Sequence, residues 1–593
     1  MIPLALSART RKILAVAALT ALFLFLRLPG IHLPYHQDEW KNVSSSATVE
    51  TAGGFFAHPP FMQMLFVADY KLFGIDGFRI LPLLFSAGAG VLLYFVVRHR
   101  AGRGAAMWSV LLFATCFYNI FGSLQADVDG SILPFFFLLA VFAYDRLRGL
   151  WSPVSWKWLA LLAAALLAGF LVKLSFILVV GAIVLDYLWN NRHNKLVKKG
   201  ILSGLGMGLF GAVYIGLLYL IQRVYPAFSI HFMLTHANQF TDGGRNWMQI
   251  AVQGVKALYY LSPLMLVPLL WSDCESVKKT LVFWLYLLAG GAFYFVLFDF
   301  SRGALDKYLM FAIVPLAAIV GVILDQEFKR RRGETYSASP RPASASADAA
   351  PQSQTPSRLP NVAPILNISL LGGLVVSILL VALNFLPQTV AALYPKTEWF
   401  GRVLHGHWNI LTPLTGGSGP MGFYVSFLFI AASFIVCVVI AAGALFHKTW
   451  RAPAAIILVL IGLTYNAVFA EELFHGKLNG SSQAVLADAA AFIRDSNQVK
   501  QVMSYNDIGS ETLSRMGKYA GRFYATPDFE EGHREKFAAY SGHYLVVDVP
   551  HLYESGFYGE FFAKCKSIFQ TRSGRITGTV YECPKGSAMM GAR

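Results

Sequence analysis

Charge is scarce in this chain. Of its 593 residues only 14% are charged, against 56% hydrophobic and 14% aromatic, and the mean hydropathy is +0.52. Soluble globular domains are about a quarter charged, so this composition excludes a soluble enzyme and points to a polytopic membrane protein. Cysteine is scarcer still. Five cysteines with no CxxC pair exclude a disulfide-built scaffold and leave no support for a thiolate metal or redox centre. A Gly-rich phosphate loop is missing, consistent with a substrate that is not nucleotide-linked. Acids are the rarer sign, 33 Asp and Glu against 49 Lys and Arg, for a net charge of +16. That excess does not mark nucleic acid, because the basic residues fall in short clusters between apolar runs, the pattern of topology signals. The opening stretch "MIPLALSARTRKILAVAALTALFLFL" has no small-residue cleavage site before "RLPG" and is expected to stay as the first helix.

What the chain does have is long apolar runs. A membrane helix needs roughly 20 mostly apolar residues. Thirteen windows qualify, near 13–30, 79–97, 105–122, 131–147, 157–172, 174–189, 200–221, 256–271, 280–298, 308–325, 363–386, 421–446 and 453–470. If they alternate, the clusters "RTRK", "RHRAGR", "DRLR", "NNRHNKLVKK", Lys278–Lys279, "KRRR" and "HKTWR" all fall on one side, which the positive-inside rule names cytoplasmic. Loops 31–78, 222–255, 299–307 and 387–420, and everything after about 471, then face outward. The fold class expected is an all-α polytopic membrane protein of about 13 helices with a small extracytoplasmic α/β domain at its C-terminus. Four segments follow: a catalytic membrane module over 1–333, a Ser, Ala and Pro rich cytoplasmic linker over 334–360 that cannot bury enough apolar surface to order itself, further membrane helices over 361–470, and the outer domain over 471–593. In that domain the stretches "SSQAVLADAAAFIRD", "SETLSRMGKYA" and "FEEGHREKFAAY" read as helices, and "QVMSY", "GRFYAT" and "HYLVVDV" as strands. "CKSIFQTRSGRITGTVYEC" reads as two strands around Ser573–Gly574, which sets Cys565 opposite Cys583 for the one disulfide expected.

Polar residues of interest gather on the outward side. Asp38 and Glu39, in "PYHQDEW", open a loop that also carries "HPPF", where Pro59 and Pro60 stiffen the backbone after His58 and suit an interfacial helix. Solvation alone is the plain alternative for such a carboxylate pair. Asp127 and Asp129, in "ADVDGS", precede the fourth window, and helix capping accounts for part of that signal. Lys173, in "LVKLS", and Arg302 and Lys307, in "SRGALDKYLMF", sit where the positive-inside rule does not place cations, although a lone lysine can snorkel. Cations against that rule, on loops that also hold acids, suggest an anionic ligand at the outer leaflet.

In this order, "RLPG…PYHQDEW", "HPPF", "ADVDGSILPFF", "LVKLS" and "KYLMFAIVPLAAI" resemble the polyprenyl-phosphate-dependent GT-C glycosyltransferases, in particular the family of lipid A aminoarabinose transferases and protein O-mannosyltransferases. The resemblance covers about the first 325 residues, and the remainder by topology. It implies that Asp38 is the catalytic base, with Glu39 its neighbour and Asp129 the second acidic position of the catalytic set. Aminoarabinose transferases often carry an acid and a lysine ahead of the two prolines. Here Ala57 and His58 stand there, so phosphate contact at that point falls to His58 and the sugar stays open.

The chemistry supports the same assignment. A phosphate leaving group needs positive charge and no general acid, which His58, Lys173, Arg302 and Lys307 supply, with Asp127 beside them in the substrate-binding set. A hydroxyl acceptor needs a base, and direct displacement inverts the anomeric carbon. The partners expected are a polyprenyl-phosphate-linked sugar, an extracytoplasmic acceptor glycan, lipid or protein, and membrane lipid, with no nucleic acid; the compartment is the cell (inner) membrane with a cytoplasmic N-terminus. No cofactor is singled out by the sequence, and a divalent metal is left open. Two other activities stay open: an O-antigen-ligase or oligosaccharyltransferase-like transfer of a whole glycan, and a polytopic transporter, whose usual internal repeat is not visible.

Overall fold

The structure is a computed structural model that describes residues 8–48, 58–148, 155–192, 196–226, 228–238, 245–299, 305–331, 362–390, 396–414, 421–523, 530–549, 551–552 and 556–584. The expected linker 334–360 and Arg302 lie outside the described residues.

Apolar runs become helices because only a helix satisfies its own backbone polar groups in lipid. The first half contains α1 (Ala8–Phe25), α2 (Gln37–Ala47), α3 (Pro60–Phe73), α4 (Ile80–Ala101), α5 (Arg103–Thr115), α6 (Phe117–Ser123), α7 (Ile132–Arg148), α8 (Ser155–Val172), α9 (Ile177–Asn190) and α10 (Leu196–Val224). Next come α11 (Ile230–Asn238), α12 (Trp247–Leu266), α13 (Cys274–Lys279), α14 (Leu281–Ala292), α15 (Leu305–Tyr308), α16 (Ile313–Arg331) and α17 (Val362–Ala382). After α18 (Lys396–Leu404), α19 (Phe427–Phe446) and α20 (Arg451–Phe474) complete the membrane part. Among the described residues seven helices are long and apolar enough to cross a membrane, or eight counting one bent pair, with four shorter apolar helices beside them. The bent pair is α5 and α6, read above as a single span over 105–122: Cys116 adopts an extended backbone (ψ 122°) and turns the chain by 64°.

The bundle centres on the span Leu309–Arg330, 94% of it buried. It lies against α5 at Gly321, where a Cβ would sit 2.1 Å from Ser109 Oγ. The ends of the bundle are chemically distinct. At one, Arg100 pairs with Asp145, Arg330 with Asp273 and Glu327, and Arg451 with Glu327, so several of the basic clusters meet there. The other end carries α2, α3, the turn 124–131 and the C-terminal domain.

That domain has a five-stranded sheet in the order β5-β4-β6-β8-β7, formed by β4 (Val502–Tyr505), β5 (Tyr519–Phe523), β6 (Gly542–Val547), β7 (Lys566–Ser573) and β8 (Ile576–Cys583). β4, β5 and β6 are parallel and β7 and β8 antiparallel. Parallel strands need cover on both faces. One face receives Val485, Leu486, Ala489 and Ile493 from α21 (Ser482–Asp495) and Leu513 from α22 (Ser510–Arg515). The other receives an aromatic cluster of Phe537, from α23 (Glu530–Ala539), and Phe557, Phe561 and Phe562, from α24 (Phe557–Phe562). The expected helices and strands are all present, while α24 was not foreseen. Nor was a small sheet in the 387–426 region, β1 (Thr389–Val390), β2 (Ile410–Leu414) and β3 (Phe423–Ser426). It ties to the C-terminal domain through Tyr424 Oη, which donates to the Asp548 carbonyl at 2.6 Å.

Cys565 and Cys583 form a disulfide across the end of the β7–β8 hairpin, and Cys116, Cys274 and Cys437 are free. Closing a loop of 18 residues stabilises by about 3 kcal/mol through the unfolded state. Replacing both cysteines by serine is therefore expected to make the C-terminal domain markedly more sensitive to limited proteolysis while leaving the membrane helices intact. Peptide mapping without reductant should recover the two cysteines in one linked pair.

Candidate active site

Arg79 has no water around it. Its side chain and that of Glu39 are both 0% exposed, and the guanidinium meets the carboxylate through two bonds, Nε to Oε1 at 3.0 Å and Nη2 to Oε2 at 2.8 Å. The remaining donors go to the carbonyls of Gly30 (3.2 Å), Ile31 (3.3 Å), Leu33 and Pro34 (3.4 Å). The turn after α1 is thus wrapped around one cation. Glu39 also accepts the Ala126 backbone amide at 3.0 Å, and Asn42 donates to the Ala126 carbonyl at 2.8 Å, so α2 is bonded to the turn 124–131 by two residues on one of its faces. Burial pushes the Glu39 carboxyl up, while the Arg79 fork and the backbone amides pull against that shift; three directed donors, two from Arg79 and one from Ala126, meet it.

One residue earlier on α2, Asp38 points a different way. Successive helical residues diverge by about 100°, so when Glu39 is buried its neighbour emerges on another face. The Asp38 side chain is 41% exposed and accepts from Lys307 Nζ at 3.0 Å. The same ammonium reaches Asp127 Oδ2 at 3.1 Å, and both of these partners are buried. Asp127 is held in place by the turn itself, whose Val128 amide donates to Oδ1 at 2.6 Å. The turn lies flat on α6 because Gly130 meets Gly122: a Cβ on Gly130 would stand 2.4 Å from the Gly122 Cα.

Burial would raise the carboxyls of Asp38 and Asp127, but the lysines outweigh it. Lys307 and Lys41 hold Asp38 below the usual carboxylate range, and Lys307 and Lys173 bring Asp127 down to about 2. Burial likewise opposes the charge on Lys307, yet Asp127 and Asp38 hold it well above the ordinary ammonium value. All three are therefore charged at neutral pH. They line a small cleft of about 60 Å³ together with Lys41, Asn42, Ser45, His58, Pro59, Met62 and Gln63.

The structure thus brings Asp38, Asp127, Lys307 and His58 to one cavity. Glu39 does not line it and stands behind it. Asp129 is paired instead with Lys173, whose Nζ donates to both carboxylate oxygens at 2.8 and 2.6 Å, and Asp129 lines a second, smaller cavity with Tyr286 and Tyr294. Tyr308 joins the two sites, its ring centre 4.3 Å from Lys173 Nζ and 5.0 Å from Lys307 Nζ. Arg79 was missed in the sequence, although it carries the signal used for Lys173, a cation just ahead of an apolar run on the side the positive-inside rule leaves poor in them. Lys41, Asn42 and Gln63 carried no such signal. Among the described residues no group of three or more His, Cys, Asp or Glu is placed to hold a metal ion.

The fold has counterparts among known proteins. Two solved structures share the fold over almost the whole chain, both of ArnT from Cupriavidus metallidurans. The apo form matches with a TM-score of 0.52 at 15% identity over 99% of this chain and 100% of that one. The form bound to undecaprenyl phosphate matches with a TM-score of 0.50 at 15% identity over 97% and 98%. In sequence, residues 57–223 match the family model for dolichyl-phosphate-mannose-protein mannosyltransferases, a stretch that runs from the cleft residue His58 through the turn 124–131 and Lys173. No curated protein matches the chain. The fold is thus shared with ArnT, and one segment of the sequence, residues 57–223, is similar to the dolichyl-phosphate-mannose-protein mannosyltransferase family.

Removing one member of a buried ion pair costs about 3–5 kcal/mol because its partner is left charged and dry. Glu39→Gln is accordingly expected to lower the melting temperature of the detergent-purified chain sharply. Adding Arg79→Met to that variant should recover part of the loss, and simple additivity of the two in a thermal-shift cycle would contradict the pairing.

Proposed function

We propose that the chain transfers a monosaccharide from a polyprenyl-phosphate donor to an acceptor hydroxyl in the cleft between α2 and the turn 124–131. The single observation that carries this is Lys307 held between Asp38 and Asp127: a cation for a phosphate and a carboxylate for a hydroxyl proton, side by side at the end of the bundle that bears the C-terminal domain. ArnT, whose fold this chain shares, has been solved with undecaprenyl phosphate, and the matching family is described by a dolichyl-phosphate-linked mannose donor. Both descriptions place the donor in the polyprenyl-phosphate class.

In the reaction the acceptor oxygen attacks the anomeric carbon of the sugar. The bond from that carbon to the phosphate oxygen breaks, and the polyprenyl phosphate leaves with both electrons. The acceptor proton passes to the Asp38 carboxylate. A phosphate is a good leaving group and takes no proton, so what it needs is fixed positive charge, supplied by Lys307 with His58 at the cleft wall and, from the sequence just ahead of Lys307, Arg302. Asp127 keeps Lys307 in place. Lys173 and Asp129 form a neutral pair next to it, which limits the repulsion a phosphate would meet. A single displacement inverts the anomeric configuration. Lys307 occupies the position between two carboxylates that a divalent cation would take, so we assign the phosphate to side-chain cations.

The division into catalytic module, linker, later helices and outer domain follows the same proposal, with the N-terminus and the basic clusters cytoplasmic and the cleft facing out of the cell membrane. The acceptor is a lipid, glycan or protein on that outer side.

Purified full-length chain with radiolabelled polyprenyl-phosphate hexoses, mannose and aminoarabinose donors among them, and a membrane extract as acceptor tests the reading. Label should move to an acceptor with one donor of the series, and no transfer from any of them would overturn it. Asp38→Asn is expected to slow that transfer by about two to four orders of magnitude, while binding of undecaprenyl phosphate stays near the wild-type level. Lys307→Met acts on the other partner: lipid-phosphate binding should weaken, and because Lys307 holds Asp38 below the usual carboxylate range of about 4, its loss should move the acid limb of the pH–rate profile to higher pH.

A further inference from the structure

The helix that presents Asp38 is held at its start by the other domain. His36, the residue before α2, has an extended backbone (φ −134°, ψ 146°) and its side chain makes no capping bond. What holds this entry segment comes from the turn after β4. The Tyr35 amide donates to Glu511 Oε2 at 3.0 Å, a buried contact across 476 residues of sequence. The His36 ring is 1% exposed and stands beside Asp507. A third tie lies close by, where Arg515 meets Asp76 at 2.7 Å in the turn that leads to Arg79, and also Glu511 at 2.8 Å.

The turn itself is built at a cost. Asn506 and Asp507 are consecutive residues with positive φ, 53° and 59°, the left-handed conformation that, glycine apart, Asn and Asp adopt more readily than most side chains. Such backbone persists where its surroundings over-determine it. Here Tyr519 Oη donates to Asp507 Oδ1 at 2.7 Å, Arg522 donates to Oδ2, and Glu511 follows within the first turn of α22. The strained pair and its supports face residues 35 and 36, and Asp38 follows two positions later. A domain that only recruited an acceptor would have no need of a rigid turn at this point.

We infer that the turn 506–511 of the C-terminal domain is a positioning element that sets the pose of Asp38 through the backbone of Tyr35 and the ring of His36. The inference rests on the base role proposed for Asp38. Glu511 is the residue that tests it, because its bond to the Tyr35 amide can be removed or kept by choice of substitution.

In the full-length purified chain, with the donor on which the wild type turns over and a membrane extract as acceptor, Glu511→Ala is expected to lower the rate at saturating donor by about ten- to a hundredfold, the scale of a displacement near 1 Å. Binding of undecaprenyl phosphate should stay within about twofold. Glu511→Gln, which keeps an acceptor for the Tyr35 amide, should restore most of the rate. In an Asp38→Asn background Glu511→Ala should add less than about a twofold effect, since the group it positions is gone. A wild-type rate for Glu511→Ala beside a crippled Asp38→Asn would overturn the positioning role alone. Parallel losses of rate and lipid binding, an equal loss in Glu511→Gln, or a full additive loss in the double variant would make the contact merely structural and overturn it too. If Asp38→Asn turns over like wild type, the base assignment itself fails, and any loss in Glu511→Ala belongs to some other group.

Discussion

Everything at this end of the bundle is arranged around the buried Arg79 guanidinium. A charge without water is tolerable only if every donor finds an acceptor and the charge finds its opposite. Arg79 does so by gathering four backbone carbonyls from residues 30–34 and the Glu39 carboxylate. Glu39 passes the constraint on to Ala126. Three segments distant in sequence, the first outer turn, α2 and the turn 124–131, are thereby locked in register. The consequence is chemical: with Glu39 turned inward, Asp38 faces the cleft, and Asp127 is brought near enough for one lysine to reach both.

The cleft and the buried pair do different work with the same residue types. Glu39 and Arg79 are dry and bidentate, a geometry that resists movement. Asp38 is partly open to solvent and holds Lys307 through one oxygen, a contact that a phosphate can compete for. Rigid support behind and exchangeable charge in front is the arrangement that preorganised electrostatic catalysis needs. The Asp129–Lys173 pair repeats the theme beside it, with the Tyr308 ring between Lys173 and Lys307.

The C-terminal domain belongs to this arrangement. Its β4–β5–β6 core is a small parallel sheet covered on both faces, and the segment used for docking leaves the carboxyl end of β4. That is where open α/β sheets place their functional loops. In this chain the loop meets the entry to α2.

Composition, the spacing of apolar runs and the placement of basic clusters were enough to settle membrane residence and to group the polar loops on one side, because hydrophobic length and charge asymmetry are local quantities that a sequence states directly. The same holds for the β7–β8 hairpin with its Cys565–Cys583 bond, where turn and alternation lie in adjacent residues. The acids and lysines of the cleft were legible as individuals through their order along the chain. Which of them meet was not. That Asp38 shares Lys307 with Asp127 while Asp129 takes Lys173, that Glu39 is structural in its setting, and that Arg79 and Glu511 matter at all are decided by contacts spanning 40 to 476 residues. Such contacts depend on how helices and turns pack, on Gly130 lying against Gly122 and on one buried cation finding all its acceptors, and no local pattern encodes them.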